Sequence, residues 1–176
     1  QQGQPLCLAV VNKFKYLGAV DDDTAGIDAE LNSRRQRAAA ALSVNSKAVF
    51  ENPKIRLRTK IQMYQTTGQT CLLYGCASWA TTQQQIARLE SVQIQHLSRC
   101  IRFQWYDRVS YLEMLDMTAR YKTAILPVET IIRARRLLYV GHVERMGSHR
   151  LLYRLLHGEV VGGRRAKGKS ERQYRH

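Results

Sequence analysis

Several signatures that would assign a function directly are missing from this sequence. No apolar run approaches the roughly 20 residues of a membrane-spanning helix, and no secretory leader pattern is present, so no membrane partner is expected. The first residue is Gln rather than Met, and the chain is read as a fragment or a processed product whose missing start could have carried a targeting segment. The four cysteines, Cys7, Cys71, Cys76 and Cys100, form no Cys-x-x-Cys pair and have no zinc-like spacing. Cys71 and Cys76 lie in an apolar stretch, the ordinary setting of buried thiols. Disulfides are not expected, and an intracellular reducing compartment is. There is no Gly-rich phosphate loop closed by Lys-Ser or Lys-Thr, no His-Glu-x-x-His and no nucleophile elbow. No metal, cofactor or catalytic residue is expected. Negative charge is also scarce: 14 Asp and Glu face 28 Lys and Arg, a formal net charge of +14. An excess of that size usually serves phosphate, because neutralised phosphates release counterions. An acidic protein or an anionic surface is the alternative.

What is present reads as a folded, mainly helical chain. With 176 residues, 44% hydrophobic and 24% charged, it can bury one real core or two small lobes. Residues 6–11 (LCLAVV) and 14–20 (FKYLGAV) predict two strands of a hairpin, which would be barely stable without a neighbour. From Ile27 the period becomes helical, with Ile27, Leu31, Ala38 and Leu42 on one face, Arg34, Arg35 and Arg37 off it, and Asp28 and Glu30 in the first turn. A second helix is expected to open at Asn52 and Pro53. It would turn Ile55, Ile61, Tyr64, Cys71 and Leu72 inward, and end or bend at Gly75. Thr81 or Thr82 would cap a third helix to about Arg102, burying Ile86, Leu89, Ile94, Leu97 and Ile101. Ser110 and Glu113 have capping-box spacing for a short fourth helix. A fifth would run from Pro127 to Met146, its apolar face holding Val128, Ile131, Ile132, Leu138, Val140 and Val143, and residues 149–157 would form a last short one. The expected fold class is mainly α: a short N-terminal β-hairpin, five or six helices and a basic C-terminal tail. The divisions fall at 1–26 (hairpin), 27–102 (helical bundle), 103–158 (helical linker region) and 159–176 (tail). The tail's Gly, Arg and Lys cannot build a core.

Asp21, Asp22 and Asp23 follow a strand-like run, where polymerases hold catalytic metals. Two-metal chemistry needs a further carboxylate across the sheet, and no aromatic residue stands just before this triplet. It is read as a solvated turn ahead of a helix N-terminus.

FKYLG (14–18), an Arg-rich helix, LLYGCASW (72–79), LSRCIR (97–102), RARRLLYVGHVERM (133–146) and the basic run GRRAKG (163–168) occur in that order. In this combination the chain resembles the portion downstream of the catalytic palm in LINE-type (non-LTR) retrotransposon reverse transcriptases, from residue 13 to about residue 170. The resemblance implies that FKYLG belongs to the last palm strands, that the helices after it form the thumb gripping a template–primer duplex, and that a helical linker follows. It also implies that the catalytic aspartates belong upstream, so that this chain by itself would have no polymerase activity. His142 matches a family position and is read as a packed or hydrogen-bonded helix histidine. The tail departs from the family: it reads GKSERQY where relatives continue Gly-Arg-Pro and Trp, and no Cys/His knuckle follows.

A thumb grips by shape and charge, through backbone phosphates and 2′-hydroxyls rather than bases. The candidates on the first two helices are Arg34, Arg35, Arg37, Lys54, Arg56, Arg58 and Lys60. Arg133, Arg135 and Arg136 on the fifth helix and Arg164, Arg165, Lys167 and Lys169 in the tail complete the set. Trp105, Tyr106 and Tyr174 are base-stacking candidates, whereas Tyr74 and Trp79 are expected in the core. The expected function is a non-catalytic RNA-binding module that holds RNA or an RNA–DNA duplex. It would be a structural subunit of a larger ribonucleoprotein, such as an organellar (mitochondrial) ribosome, touching other protein subunits. The alternatives are a fragment of an active reverse transcriptase whose palm lies outside this chain, and a protein–protein scaffold. The compartment is left open between an organellar ribonucleoprotein and the nucleus.

Overall fold

The computed structural model describes residues 12–16, 18–22, 27–103 and 105–157, apart from the side chains of residues 13, 21, 22 and 105. The strand expected over 6–11, Asp23, and the tail with Arg164, Arg165, Lys167, Lys169 and Tyr174 lie outside the described residues. The fold is mainly helical with a two-stranded hairpin near the N-terminus, as the sequence predicts.

The hairpin pairs β1 (Lys13–Tyr16) with β2 (Ala19–Asp22), antiparallel, Tyr16 opposite Ala19 and Lys13 opposite Asp22. The run expected to be one strand therefore folds back on itself. Gly18 makes this possible: its φ of +88° lies in the left-handed region that glycine enters without a Cβ clash. The reading of the aspartates as a turn is corrected accordingly, because Asp21 and Asp22 are strand residues opposite Phe14 and Lys13.

Helix α1 (Asp28–Val44) buries Leu31, Ala38 and Leu42, and with them Glu30 and Arg34. Those two charges tie the hairpin to the helix. The Glu30 carboxylate accepts from the Val20 N–H at 2.7 Å and from Arg34 Nε at 2.6 Å. Arg34 Nη2 and Arg37 Nη1 both donate to the Gly18 carbonyl, at 2.9 and 2.8 Å. A hairpin too small to stand alone is thus fixed by its turn carbonyl and one strand amide.

A π-helical turn at Ser46–Phe50 follows. The second helix does not open at Asn52–Pro53: α2 spans Leu57–Tyr64. Asn52 Oδ1 accepts the Lys54 N–H at 2.9 Å, a local turn that competes with helix at this point. The rod continues through a π segment, Gln65–Gln69, into α3 (Thr70–Leu72). Gly68 permits close approach there, since a Cβ would lie 2.9 Å from the Tyr64 ring and 3.1 Å from Leu42. Gly75, with φ +75°, ends the rod where the sequence places its end.

Helices α4 (Gln83–Ile101) and α5 (Tyr111–Arg120) both begin with full capping boxes, Thr82 with Gln85 and Ser110 with Glu113. Helices α6 (Val128–Glu144) and α7 (Leu151–His157) complete the described chain. Two apolar clusters form along the α1–α4 pair. One joins Leu31, Ala38, Leu72, Trp79, Leu89 and Ile132; the other joins Leu42, Phe50, Ile61, Tyr64, Leu97 and Met114. Both draw residues from either side of the expected boundary at 102. On α6, Val128, Ile132 and Val143 are buried, while Leu138, expected inward, is exposed beside Leu137. No helix among the described residues is long and apolar enough to cross a membrane.

Candidate nucleic-acid interface

Helix geometry sorts the candidate cations into two groups. Arg34, Arg37, Lys60, Arg135 and Arg136 are turned toward the protein itself. Arg34 is buried in its pair with Glu30, and its guanidinium lies 4.5 Å from the centroid of the Tyr74 ring. Periodicity places Arg34 off the apolar face; the structure corrects this, because position 34 falls between Leu31 and Ala38 on the buried stripe. Lys60, also expected outward, is buried and donates Nζ to the Phe50 carbonyl at 2.7 Å. Burial, with Arg102 nearby, holds its pKa below that of an ordinary lysine, and Cys100 opposes the shift. Arg135 Nη1 donates to the Leu73 carbonyl at 2.6 Å and contacts Cys76 Sγ. Arg136 Nη2 donates to the Trp79 carbonyl and, at 3.0 Å, to Thr81 Oγ1. These two arginines bind α6 to carbonyls at and just beyond the end of the α2–α3 rod.

The second group faces outward. Arg35, Lys54, Arg56 and Arg58 are exposed, the last three around the irregular entry to α2. Arg133 is exposed and pairs with Glu129 at 2.6 Å, one turn back on α6. Tyr106 is exposed, whereas the side chain of Trp105 lies outside the described residues. Trp79 is buried as predicted; Tyr74 is half exposed under Arg34, and His142 is exposed rather than packed.

Sequence reasoning missed the residues around the α1–α4 crossing. Two cavities meet there at His96. The larger, about 490 Å³, is lined by Leu42, Phe50, Cys100 and Phe103 on its apolar side and by Arg99 and Arg102 on its charged side, with Ser46, Glu51 and Ser98 completing it. The smaller, about 380 Å³, is lined by Asn32, Arg35, Gln36, Ala39, Val92 and Gln95. Arg35, Arg99 and Arg102 form no ion pair among the described residues. Arg35 Nη1 reaches Asn32 Oδ1 at 3.4 Å, and Arg102 Nη2 donates to the Glu51 carbonyl. Arg102 also closes α4 in a left-handed conformation, φ +66°, which a non-glycine residue adopts only against a backbone penalty. His96 is buried, and its Nδ1 has no hydrogen-bond partner. Burial, with Arg99 adding, pushes the imidazole pKa down to about 4, so the ring is neutral at pH 7. The signal that was available is LSRCIR itself: Leu97 and Cys100 pack inward, which leaves Arg99 and Arg102 at the rim.

The arrangement can hold a polyanion: cations without carboxylate partners line a groove between two long helices, and a neutral donor–acceptor ring sits in its wall. No family model matches the chain, and no curated protein or solved structure matches it significantly.

Proposed function

We propose that this protein is a non-catalytic RNA-binding module that grips the sugar-phosphate backbone along the α1–α4 groove, within a larger ribonucleoprotein. The observation that carries the proposal is the position of Arg35, Arg99 and Arg102 around two adjoining cavities, with no ion pair among the described residues. The net charge of +14 supplies the long-range attraction. The resemblance to the thumb of LINE-type reverse transcriptases supports the same chemistry, a helical surface that holds a duplex by its backbone. An organellar ribosome is the host assembly that this reading favours.

The test is the salt dependence of binding to a labelled A-form RNA hairpin, followed by fluorescence anisotropy. Log Kd should vary linearly with log salt, with a slope of roughly 0.7–0.9 per neutralised phosphate. Arg35→Ala and Arg99→Ala should each lower that slope by about one contact. Binding that ignores salt, or no binding at low salt, overturns the reading.

A protein-docking role is favoured by one separate observation. Leu137 and Leu138 on α6 and Leu151 and Leu155 on α7 are each about 70% exposed. An apolar face of that kind suits contact with another subunit of the same assembly, and a partner there would bind with little response to salt.

A further inference from the structure

We infer that the larger cavity at the α1–α4 crossing takes one unpaired nucleotide, its base against Phe50 and Phe103 and its phosphate at Arg99 and Arg102. The ligand chemistry is that of a nucleoside monophosphate, whether free or as an unstacked residue in RNA; the RNA source rests on the function proposed above.

A site for backbone alone needs only exposed cations. This cavity adds the partly buried Phe103 and an apolar wall of Leu42, Phe50 and Cys100 to its arginines. Its volume of about 490 Å³ falls within the about 300–1,000 Å³ of small-molecule sites. Aromatic side chains are the usual platform for unstacked bases, because every base has a π-face.

His96 joins the two cavities. It lines both, only 6% of it is exposed, and its Nδ1 lacks a partner. That nitrogen is closed off from solvent, so what the ring offers a base is the remaining surface that lines the cavities. The ring is neutral at pH 7 because burial lowers its pKa to about 4. A neutral ring is no counter-ion for a phosphate, which puts His96 on the base side of the site. The phosphate falls to Arg99, exposed at the rim, and to Arg102, whose side chain holds the Glu51 carbonyl there. Glu51, the single carboxylate in the lining, is engaged by the Ser46 hydroxyl at 2.6 Å. The smaller cavity, with Arg35, Asn32, Gln36 and Gln95, is placed to take the sugar-phosphate of the next residue in the strand.

The experiment compares two RNA hairpins with the same stem, one fully paired and one with a single unpaired adenosine, and adds adenosine 5′-monophosphate as a free probe. The full chain should bind the bulged hairpin about tenfold more tightly or better, and adenosine 5′-monophosphate should remove that preference by competition. Ser98→Phe fills the cavity from its α4 wall without removing a charge; it should abolish the preference while binding to the paired hairpin persists and stays salt-dependent. Phe103→Ala, which takes away an aromatic surface instead, should do the same, with circular dichroism confirming that both variants fold. Equal affinity for the two hairpins, with no response to the mononucleotide, overturns the pocket and leaves the backbone grip standing. Failure to bind either hairpin while adenosine 5′-monophosphate still binds wild type but not Ser98→Phe overturns the grip and keeps the pocket, with a free nucleotide as its ligand. A preference that survives both substitutions places the bulge elsewhere and also overturns it.

Discussion

Removing the Glu30 carboxylate probes how the hairpin is held. The side chains of Arg34 and Glu30 are 4% and 6% exposed, and their shortest contact is 2.6 Å. Among the described residues, Glu30→Ala leaves the buried guanidinium the Gly18 carbonyl at 2.9 Å and the Tyr74 ring face as neighbours of suitable polarity. It also leaves the Val20 N–H without its acceptor. Stranding one member of a buried pair costs about 3–5 kcal/mol, and the lost hydrogen bond to Val20 adds roughly 1 kcal/mol. In a domain of this size 1 kcal/mol corresponds to roughly 2–4 °C in Tm. A fall of roughly 10–20 °C follows for a total loss of about 5 kcal/mol.

Thermal and urea unfolding by circular dichroism give the number, and trypsin cleavage at Lys13 and Lys15 reports whether the hairpin detaches first. The decisive comparison is a double-mutant cycle. Arg34→Met removes the stranded charge while keeping a long apolar stem, so Glu30→Ala with Arg34→Met should be more stable than Glu30→Ala alone, with a coupling of about 1–3 kcal/mol. The reasoning fails if Glu30→Ala melts within about 2 °C of wild type, or if the two changes simply add; the pair would then be worth no more than an exposed salt bridge.

Gly68→Ala pushes a methyl against the Tyr64 ring and Leu42, at 2.9 and 3.1 Å, and should cost about 1–3 kcal/mol in urea unfolding; a neutral result would mean that α1 and the π segment are not in close contact. The folded pKa of His96, about 4, lies below its unfolded value near 6.5, so below pH 6.5 the unfolded chain takes up a proton that the folded ring refuses. Stability should therefore fall as pH drops from about 6.5 to about 4 and level off below, by at most about 3 kcal/mol, and His96→Leu should flatten that slope.

Much of the fold was legible because local signals decided it. Thr82 with Gln85 and Ser110 with Glu113 are self-contained caps, and Gly75 stops a helix through its own φ. Where the reading missed, either a local turn displaced the expected element or the deciding partner was remote in sequence. Glycine inside FKYLGAV marks a turn, yet its aromatic and β-branched neighbours read as one continuous strand. Asn52–Pro53 looks like a helix start, but the Asn52 side chain closes a turn on Lys54 first. Arg34 is invisible to periodicity because a charge is assumed to lie outside, and its burial depends on Glu30 one turn earlier and on Gly18 in another element. The α1–α4 cavities depend on how two helices cross, which no single helix reveals.

That difference bears on what a charge count means. Arg34, Arg37, Lys60, Arg135 and Arg136 donate to carbonyls at Gly18, Phe50, Leu73 and Trp79. Such carbonyls lie at helix ends and turns, where a lone pair remains for a further donor, and a long cationic side chain reaches them from another element. A carbonyl is neutral, so it fixes the geometry without cancelling the charge. Only Arg34 of these five also forms an ion pair with a carboxylate among the described residues. The other four still contribute to the field that draws a polyanion in, although their hydrogen bonds are committed to the fold. Long-range attraction and direct contact are thus assigned to different residues. The contact falls to cations such as Arg35 and Arg99, which no backbone carbonyl or carboxylate holds among the described residues, and it is these that the salt slope would count.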